Sequence, residues 1–154
     1  MAEFEVVRSA VITAAPARVH GLIDDFHEWV KWSPWEDLDP QLQRSYSGAD
    51  SGVGARYAWS GNRKAGAGNM EIIGSADREI GVRLEFLKPM KATNMVTFTL
   101  DPVETGTEVT WRMTGQQTGL MAFIGKIIPM DRFIGRDFEK GLARLQEAAA
   151  AETA

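Results

Sequence analysis

Side chains able to carry protons, bind metals or attack a carbonyl are few in this sequence. The chain has 154 residues, two histidines and no cysteine. Disulfides, thiolate chemistry and cysteine-built zinc sites are therefore excluded. His20 and His27 stand about two helical turns apart, and neither has a neighbouring His or Cys that would complete a zinc site. They read as surface or cap histidines. No GxSxG, Walker A or dinucleotide fingerprint occurs in a suitable context. The stretch Gly61 to Gly68 carries Arg63 and Lys64, but it lies between strand-like runs and reads as a hairpin turn rather than a phosphate loop. The remaining candidates are three. Arg44 shares the two-residue phase of Leu42 and Tyr46, so its guanidinium either binds a carboxylate or ketone oxygen in the interior or snorkels to solvent. Tyr57 offers a hydrogen bond or a proton. Asn94 shares the phase of Val96 and would reach a pocket mouth. Glu71, Arg83, Glu85 and Arg112 fall on the opposite phase and should face water. These groups form no recognisable catalytic constellation, so no activity is assigned, and neither a metal nor another cofactor is expected.

The elements that must position these groups are marked by periodicity. Phe4 to Ile12 is rich in β-branched and apolar residues and predicts a strand. Pro16 suits the first turn of a helix, where a missing N–H costs nothing. Val19, Leu22, Ile23 and Phe26 then recur at helical spacing, with Trp29 one turn on, predicting two short helices. Pro34 and Pro40 bracket an irregular stretch. Three of the five tryptophans fall between Trp29 and Trp35, either as a packed corner or as a pocket rim. From Gln41 to Gly115 the period becomes two: Leu42 and Tyr46; Tyr57 and Trp59; Met70 and Ile72; Val82, Leu84 and Phe86; Val96, Phe98 and Leu100; Val109, Trp111 and Met113. Turn residues separate these six sets, as in an antiparallel meander. A helical period returns with Leu120, Phe123, Ile124, Ile127 and Ile128, which Pro129 must interrupt or kink. The stripe Ile134, Phe138, Leu142, Leu145 and Ala149 follows, backed by Arg136, Glu139, Lys140, Arg144 and Glu147. The fold class is α+β: a seven-stranded antiparallel sheet whose apolar face is covered by a long C-terminal helix. Residues 1–150 form a single domain and residues 151–154 a frayed tail.

Lys plus Arg number 17 and Asp plus Glu 21, a net charge of −4, which argues against nucleic acid as a partner. No basic start followed by an apolar core marks a secretory signal. The apolar stretch Gly119 to Met130 is broken by Lys126 and falls short of the roughly 20 residues that span a bilayer. It packs on the domain, or serves as a lid or a membrane-touching surface during ligand transfer. Stable membrane insertion is not expected, and the default location is cytoplasmic.

Several segments carry a family likeness in order and spacing. They are Ala15-Pro16, Trp32-Ser33-Pro34-Trp35-Glu36, and Gly52-Val53-Gly54-Ala55 leading into Tyr57 and Trp59. They continue with Phe86-Leu87-Lys88-Pro89, Lys91-Ala92-Thr93-Asn94, Gly106-Thr107-Glu108-Val109-Thr110-Trp111, and Ile134-Gly135-Arg136-Asp137-Phe138-Glu139-Lys140-Gly141-Leu142. Together they span nearly the whole chain, which resembles the polyketide cyclase/dehydrase branch of the START and birch-pollen-allergen (SRPBCC) superfamily. The resemblance implies a helix-grip fold, in which the curved sheet wraps the C-terminal helix around a cavity. It implies binding or transport of a hydrophobic, lipid-like or polyketide-like molecule as the function. A cyclase/dehydratase-type enzyme using the same cavity is the alternative, and a protein-interaction domain of the co-chaperone or antitoxin type is a second. The partner is then a hydrophobic small molecule, bound by a monomer or homodimer.

The inward-facing strand residues Tyr57, Trp59, Met70, Ile72, Leu84, Phe86, Phe98, Trp111 and Met113, with Ile134 and Phe138 from the helix, are the candidate ligand-binding set. Each suits a core as well as a cavity wall, while Met70 and Met113 would adapt to varied ligand shapes. Energetics limits the cavity. At roughly 24 cal/mol per Å3, a dry void of about 300 Å3 costs on the order of 7 kcal/mol, against a typical total stability of about 5–15 kcal/mol. A large cavity should therefore be occupied, hydrated or partly collapsed.

Overall fold

The computed structural model describes residues 2–36, 39–63, 65–88, 91–117 and 130–151. Strand β1 (Ala2–Ile12) leads into helix α1 (Pro16–Ile23) and a 3-10 helix (Phe26–Lys31). Six strands follow: β2 (Gln43–Gly48), β3 (Ala55–Ser60), β4 (Ala67–Ala76), β5 (Glu79–Lys88), β6 (Ala92–Val103) and β7 (Gly106–Gln117). Helix α2 (Met130–Ala151) closes the described chain. The strands form one curved sheet in the order β1-β7-β6-β5-β4-β3-β2. Every pairing is antiparallel. The seven strands, the two short helices and the gripping helix agree with the sequence expectation. The predicted apolar face of Leu120 to Ile128, with Pro129, lies outside the described residues, as do Lys64 and residues 152–154 of the expected tail.

Alternation fixes which face is which. Val96, Phe98 and Leu100 are buried while Met95 is exposed; Val109, Trp111 and Met113 are buried while Arg112 is exposed. Asn94 keeps this phase and is buried. On the outer face Glu71 and Arg83 pair at 2.8 Å, and Arg112 Nε donates to Glu5 at 2.6 Å. The register shifts twice between β4 and β5, once beside Leu87 and once beside Ile73. Each shift leaves one residue unpaired, as a β-bulge does, and both unpaired side chains are exposed. Such bulges bend the strands and help to curl the sheet.

The short helices are stitched by indoles. Helix α1 starts with Pro16 after an extended Ala15 that gives no side-chain cap. At the far end of α1, Trp29 Nε1 donates to the Ile23 carbonyl at 2.7 Å and Trp32 Nε1 to the Leu22 carbonyl at 2.8 Å. These are carbonyls for which the ended helix has no further N–H. Both tryptophans can thus be buried without an orphaned donor, and the Trp29–Trp35 segment begins as a packed corner.

Helix α2 buries Phe138, Leu142, Leu145 and Ala149 against the sheet, each worth up to roughly 1.5–3 kcal/mol for the large side chains. Its polar pins hold the register: Arg8 to Glu139 at 3.2 Å, Trp35 Nε1 to Asp137 at 3.0 Å, and a two-way contact between Gln146 and Thr13 at 2.7 Å. Close approach is possible because Gly141 faces Trp111 and Pro34. A Cβ there would stand 2.7 Å from the Trp111 ring and 3.0 Å from Pro34, so any larger residue would push the helix off the sheet.

Candidate functional site

The pairing register sorts the concave face into rows. One row runs from Phe98 and Trp111 on β6 and β7 to Ile80 on β5. Here the rings pack against one another in edge-on, tilted and stacked pairs. Phe98 meets Trp111 at 5.0 Å, Trp29 at 5.9 Å and Trp32 at 6.0 Å between centroids. Trp111 stacks on Phe138 at 4.1 Å and 7°. Phe98, Ile80, Ile72, Val82 and Trp111 have at most 1% of their surface exposed. This end of the face is filled by its own side chains.

The opposite end is different. There Phe4 pairs with Gly115, Leu84 with Asn94 and Met70, and Tyr57 with Met70 and Tyr46. Beyond that row stand Phe86 opposite Gly68, and Gly68 opposite Trp59. Phe4, Trp59, Phe86 and Ile134 pack on the core yet remain only partly buried. Trp59 and Phe86 meet edge to face at 5.9 Å, and the Trp59 indole lies over Gly68, where a side chain would collide with it. Its Nε1 donates to the Ala65 carbonyl at 2.9 Å.

Polar groups converge at the β2–β3 edge of this end. Arg44 is paired with Trp59 in register; the residue stays exposed, and its guanidinium is tied to Glu36. Arg44 Nε donates to Glu36 Oε2 at 2.6 Å, and Nη2 to the Glu36 backbone carbonyl at 3.2 Å. Tyr57 Oη donates to the other carboxylate oxygen at 3.3 Å. The Glu36 side chain keeps only 10% of its surface exposed, against 31% for Arg44. Burial, and then the Glu36 carboxylate, push both Tyr57 and Tyr46 above the ordinary tyrosine value. The hydrogen bond that Arg44 donates to Glu36 raises Arg44 as well. At neutral pH the phenol is thus a hydrogen-bond donor and a poor acid, and the carboxylate has a full set of partners.

Asn94 Oδ1 and Trp111 Nε1 are buried and lack a hydrogen-bond partner among the described residues. Trp111 sits inside the packed ring cluster. Asn94, 4% exposed, lies in the row that borders the open end.

Two surface cavities lie away from the predicted set. A cleft of about 110 Å3 is lined by Phe26, His27, Tyr46, Gly48, Ala55 and Arg56, among others. An open groove of about 630 Å3 follows the outer face along Glu5, Thr93, Met95, Arg112 and Thr114 to Phe4 and Gly115. Neither is bordered by any of the eleven apolar residues that the sequence nominates. The structure divides those residues. Ile72, Phe98, Trp111 and Phe138 are core; Trp59, Phe86 and Ile134 are half-open; Tyr57, Met70, Leu84 and Met113 are buried between. Glu36 was missed by sequence reasoning, although an inward Arg44 beside Tyr57 signals a need for a carboxylate. Phe4 was placed in a strand but not in the site. The histidines take peripheral roles: His27 Nδ1 lies 2.8 Å from Asp25, and His20 Nε2 3.0 Å from the Ala76 carbonyl. Among the described residues no cluster of His, Asp or Glu could hold a metal ion, and no helix is long and apolar enough to cross a membrane.

Solved structures share this architecture. A protein from Chromobacterium violaceum is 16% identical, with 94% of this chain and 96% of that one covered, at a TM-score of 0.68. A protein of unknown function from Staphylococcus aureus is 11% identical, with 99% and 96% covered, at 0.71. One from Thermus thermophilus is 17% identical, with 98% and 100% covered, at 0.67. At such identities the likeness is one of fold. No curated protein matches the chain at a significant level. The family model described as polyketide cyclase / dehydrase and lipid transport, however, matches residues 3–150. With the sheet, the gripping helix and that match in agreement over nearly every residue, the chain belongs to the polyketide cyclase / dehydrase and lipid transport family.

Proposed function

We propose that the chain binds an apolar small molecule at the open end of the concave face, between Phe4, Trp59, Phe86 and Ile134. One observation carries this reading. While the Phe98–Trp111 row is fully buried, Phe4, Trp59 and Phe86 in the rows at this end stay partly exposed, as does Ile134 on α2. Aromatic walls with few polar groups are the usual make-up of a ligand pocket, and covering the exposed remainder yields about 25 cal/mol per Å2. Family membership supports it, since lipid transport is part of the family's description. Under this reading the protein works in the cytoplasm as a monomer or homodimer. Native mass spectrometry before and after organic extraction tests it, followed by titration with fatty acids and polycyclic probes. Retained apolar mass, or probe binding with micromolar affinity, is the expected result. A ligand-free protein that ignores the whole panel would contradict it.

A second reading, a cyclase/dehydratase-type enzyme, is favoured by the convergence of Glu36, Arg44 and Tyr57 beside Trp59. A cyclase must chiefly hold a reactive chain in one conformation and supply one or two acid/base groups. Turnover of a synthetic poly-β-ketone thioester, lost in Y57F, would favour this reading over simple binding. Absence of turnover in protein that binds the probes would leave the carrier.

A further inference from the structure

We propose that Asn94 is the specificity-determining group of the site, and that its ligand carries an O–H or N–H donor for the Asn94 side-chain oxygen. The inference rests on the binding reading above and adds the chemistry of the ligand.

Asn94 stands on β6 in the inward phase of Val96 and Phe98, opposite Leu84. It is 4% exposed, and its Oδ1 has no partner among the described residues. Leaving a buried acceptor unmade costs about 1–3 kcal/mol, and native proteins seldom carry that cost without a reason. An apolar residue of similar volume would remove it.

The surroundings say where the partner would come from. On the β7 side the oxygen sits over Gly115, where a Cβ would collide with Asn94 Oδ1 and stand 2.9 Å from the Phe4 ring. The acceptor therefore has a bare backbone beneath it and an aromatic ring beside it. Phe4 is partly exposed and, with Gly115, borders the open groove; under this proposal a rotation of that single side chain gives the ligand access to the oxygen. Trp111 Nε1, the other orphaned group, stacks on Phe138 and meets Phe98, Trp32 and Trp35. Its partly exposed neighbour Trp35 is itself held in place, with its own Nε1 donating to Asp137 at 3.0 Å. An apolar molecule that ends in a hydroxyl or an amine N–H would bury its body against Trp59 and Phe86 and satisfy Asn94 at its tip. An isostere without the donor would leave both the oxygen and the site's discrimination unused.

The test compares 2-naphthol with 2-methoxynaphthalene, which has the same rings and oxygen but no donor, by tryptophan fluorescence titration. The wild-type protein should favour the naphthol. In N94L that preference should fall by roughly tenfold while affinity for the methyl ether stays or improves. In N94D, which retains an acceptor, the preference should persist. Circular dichroism establishes that each variant is folded; if N94L is not, the wild-type and N94D ratios decide. A wild-type protein that binds both probes equally overturns the proposal, as does a preference that N94L leaves unchanged. If neither probe binds, the binding reading itself has failed, which is a separate result from loss of the preference alone.

Discussion

Truncating Phe98 and Trp59 separates core from site. Phe98 has no exposed surface and meets the rings of Trp29, Trp32 and Trp111 within 6.0 Å. F98A removes that packing and leaves a void in a cluster that cannot collapse without moving α2. The loss should be about 3–5 kcal/mol. For a domain of this length each kcal/mol lowers the melting temperature by roughly 2–4 °C, so F98A should melt roughly 6–20 °C below wild type. Trp59 is partly exposed and makes one hydrogen bond, to Ala65. W59A gives up that bond, worth about 1 kcal/mol, and an incomplete burial worth roughly 1–2 kcal/mol. It should melt above F98A. Affinity for 2-methoxynaphthalene should move the other way: reduced about tenfold in W59A, for a loss near 1.4 kcal/mol, and nearly unchanged in F98A at temperatures where it is folded. Differential scanning calorimetry and fluorescence titration read the two quantities. The reasoning is refuted if W59A is as destabilising as F98A while binding the probe normally, because Trp59 is then simply core.

Three further outcomes follow from the polar groups. Both tyrosines are pushed above their ordinary value of 10.0 by burial and the Glu36 carboxylate, so absorbance at 295 nm should show the phenolate transitions displaced above that pH while the protein is folded. The folded state favours the neutral phenols. Its added stability is therefore present below pH 10, the unfolded value, and is lost as pH rises through the raised values; alkaline unfolding should be shallower in Y57F. Replacing Glu36 by Gln removes the charge that Arg44 and Tyr57 share. E36Q should lower both tyrosine values toward normal and cost about 1–3 kcal/mol in urea unfolding, and an unaltered titration would show that the carboxylate does not act on the phenols. G115A places a methyl group against Asn94 and Phe4 and should cost about 1–3 kcal/mol; a neutral substitution would mean the strand is looser there than the geometry shows.

Much of this fold was legible because its periodicities are uninterrupted. Alternation in Val96-Phe98-Leu100 and Val109-Trp111-Met113 names the inward face, and the stripe Phe138, Leu142, Leu145 names the helix that covers it. Alternation does not say which rows the helix covers. That depends on where α2 crosses the sheet, which Gly141 against Trp111 and the Arg8–Glu139 pair decide. The sequence therefore nominates Phe98 and Trp59 alike, although one is core and the other half-open. The bulges at Ile73 and Leu87 were invisible for a related reason: an extra residue in a strand looks like one more β-branched or apolar position until its partner strand is known. Glu36 escaped notice because it belongs to an irregular stretch, and only the packed Trp29–Trp32 corner brings it to the edge of β2 and β3. Arg44 shares the phase of Tyr46 yet stays exposed, and its partner Glu36 comes from outside its own strand pair. Asn94 was legible in position; its unpaired oxygen was not, since that requires knowing what stands around it.

The most direct test of a binding site at the open end is to locate a bound probe. Isotope-filtered NOEs from 2-methoxynaphthalene to labelled protein should connect its ring protons to Trp59, Phe86, Phe4 and Ile134. NOEs to Met95 and Thr93 on the outer face, or to none of these residues at saturating probe, would contradict it.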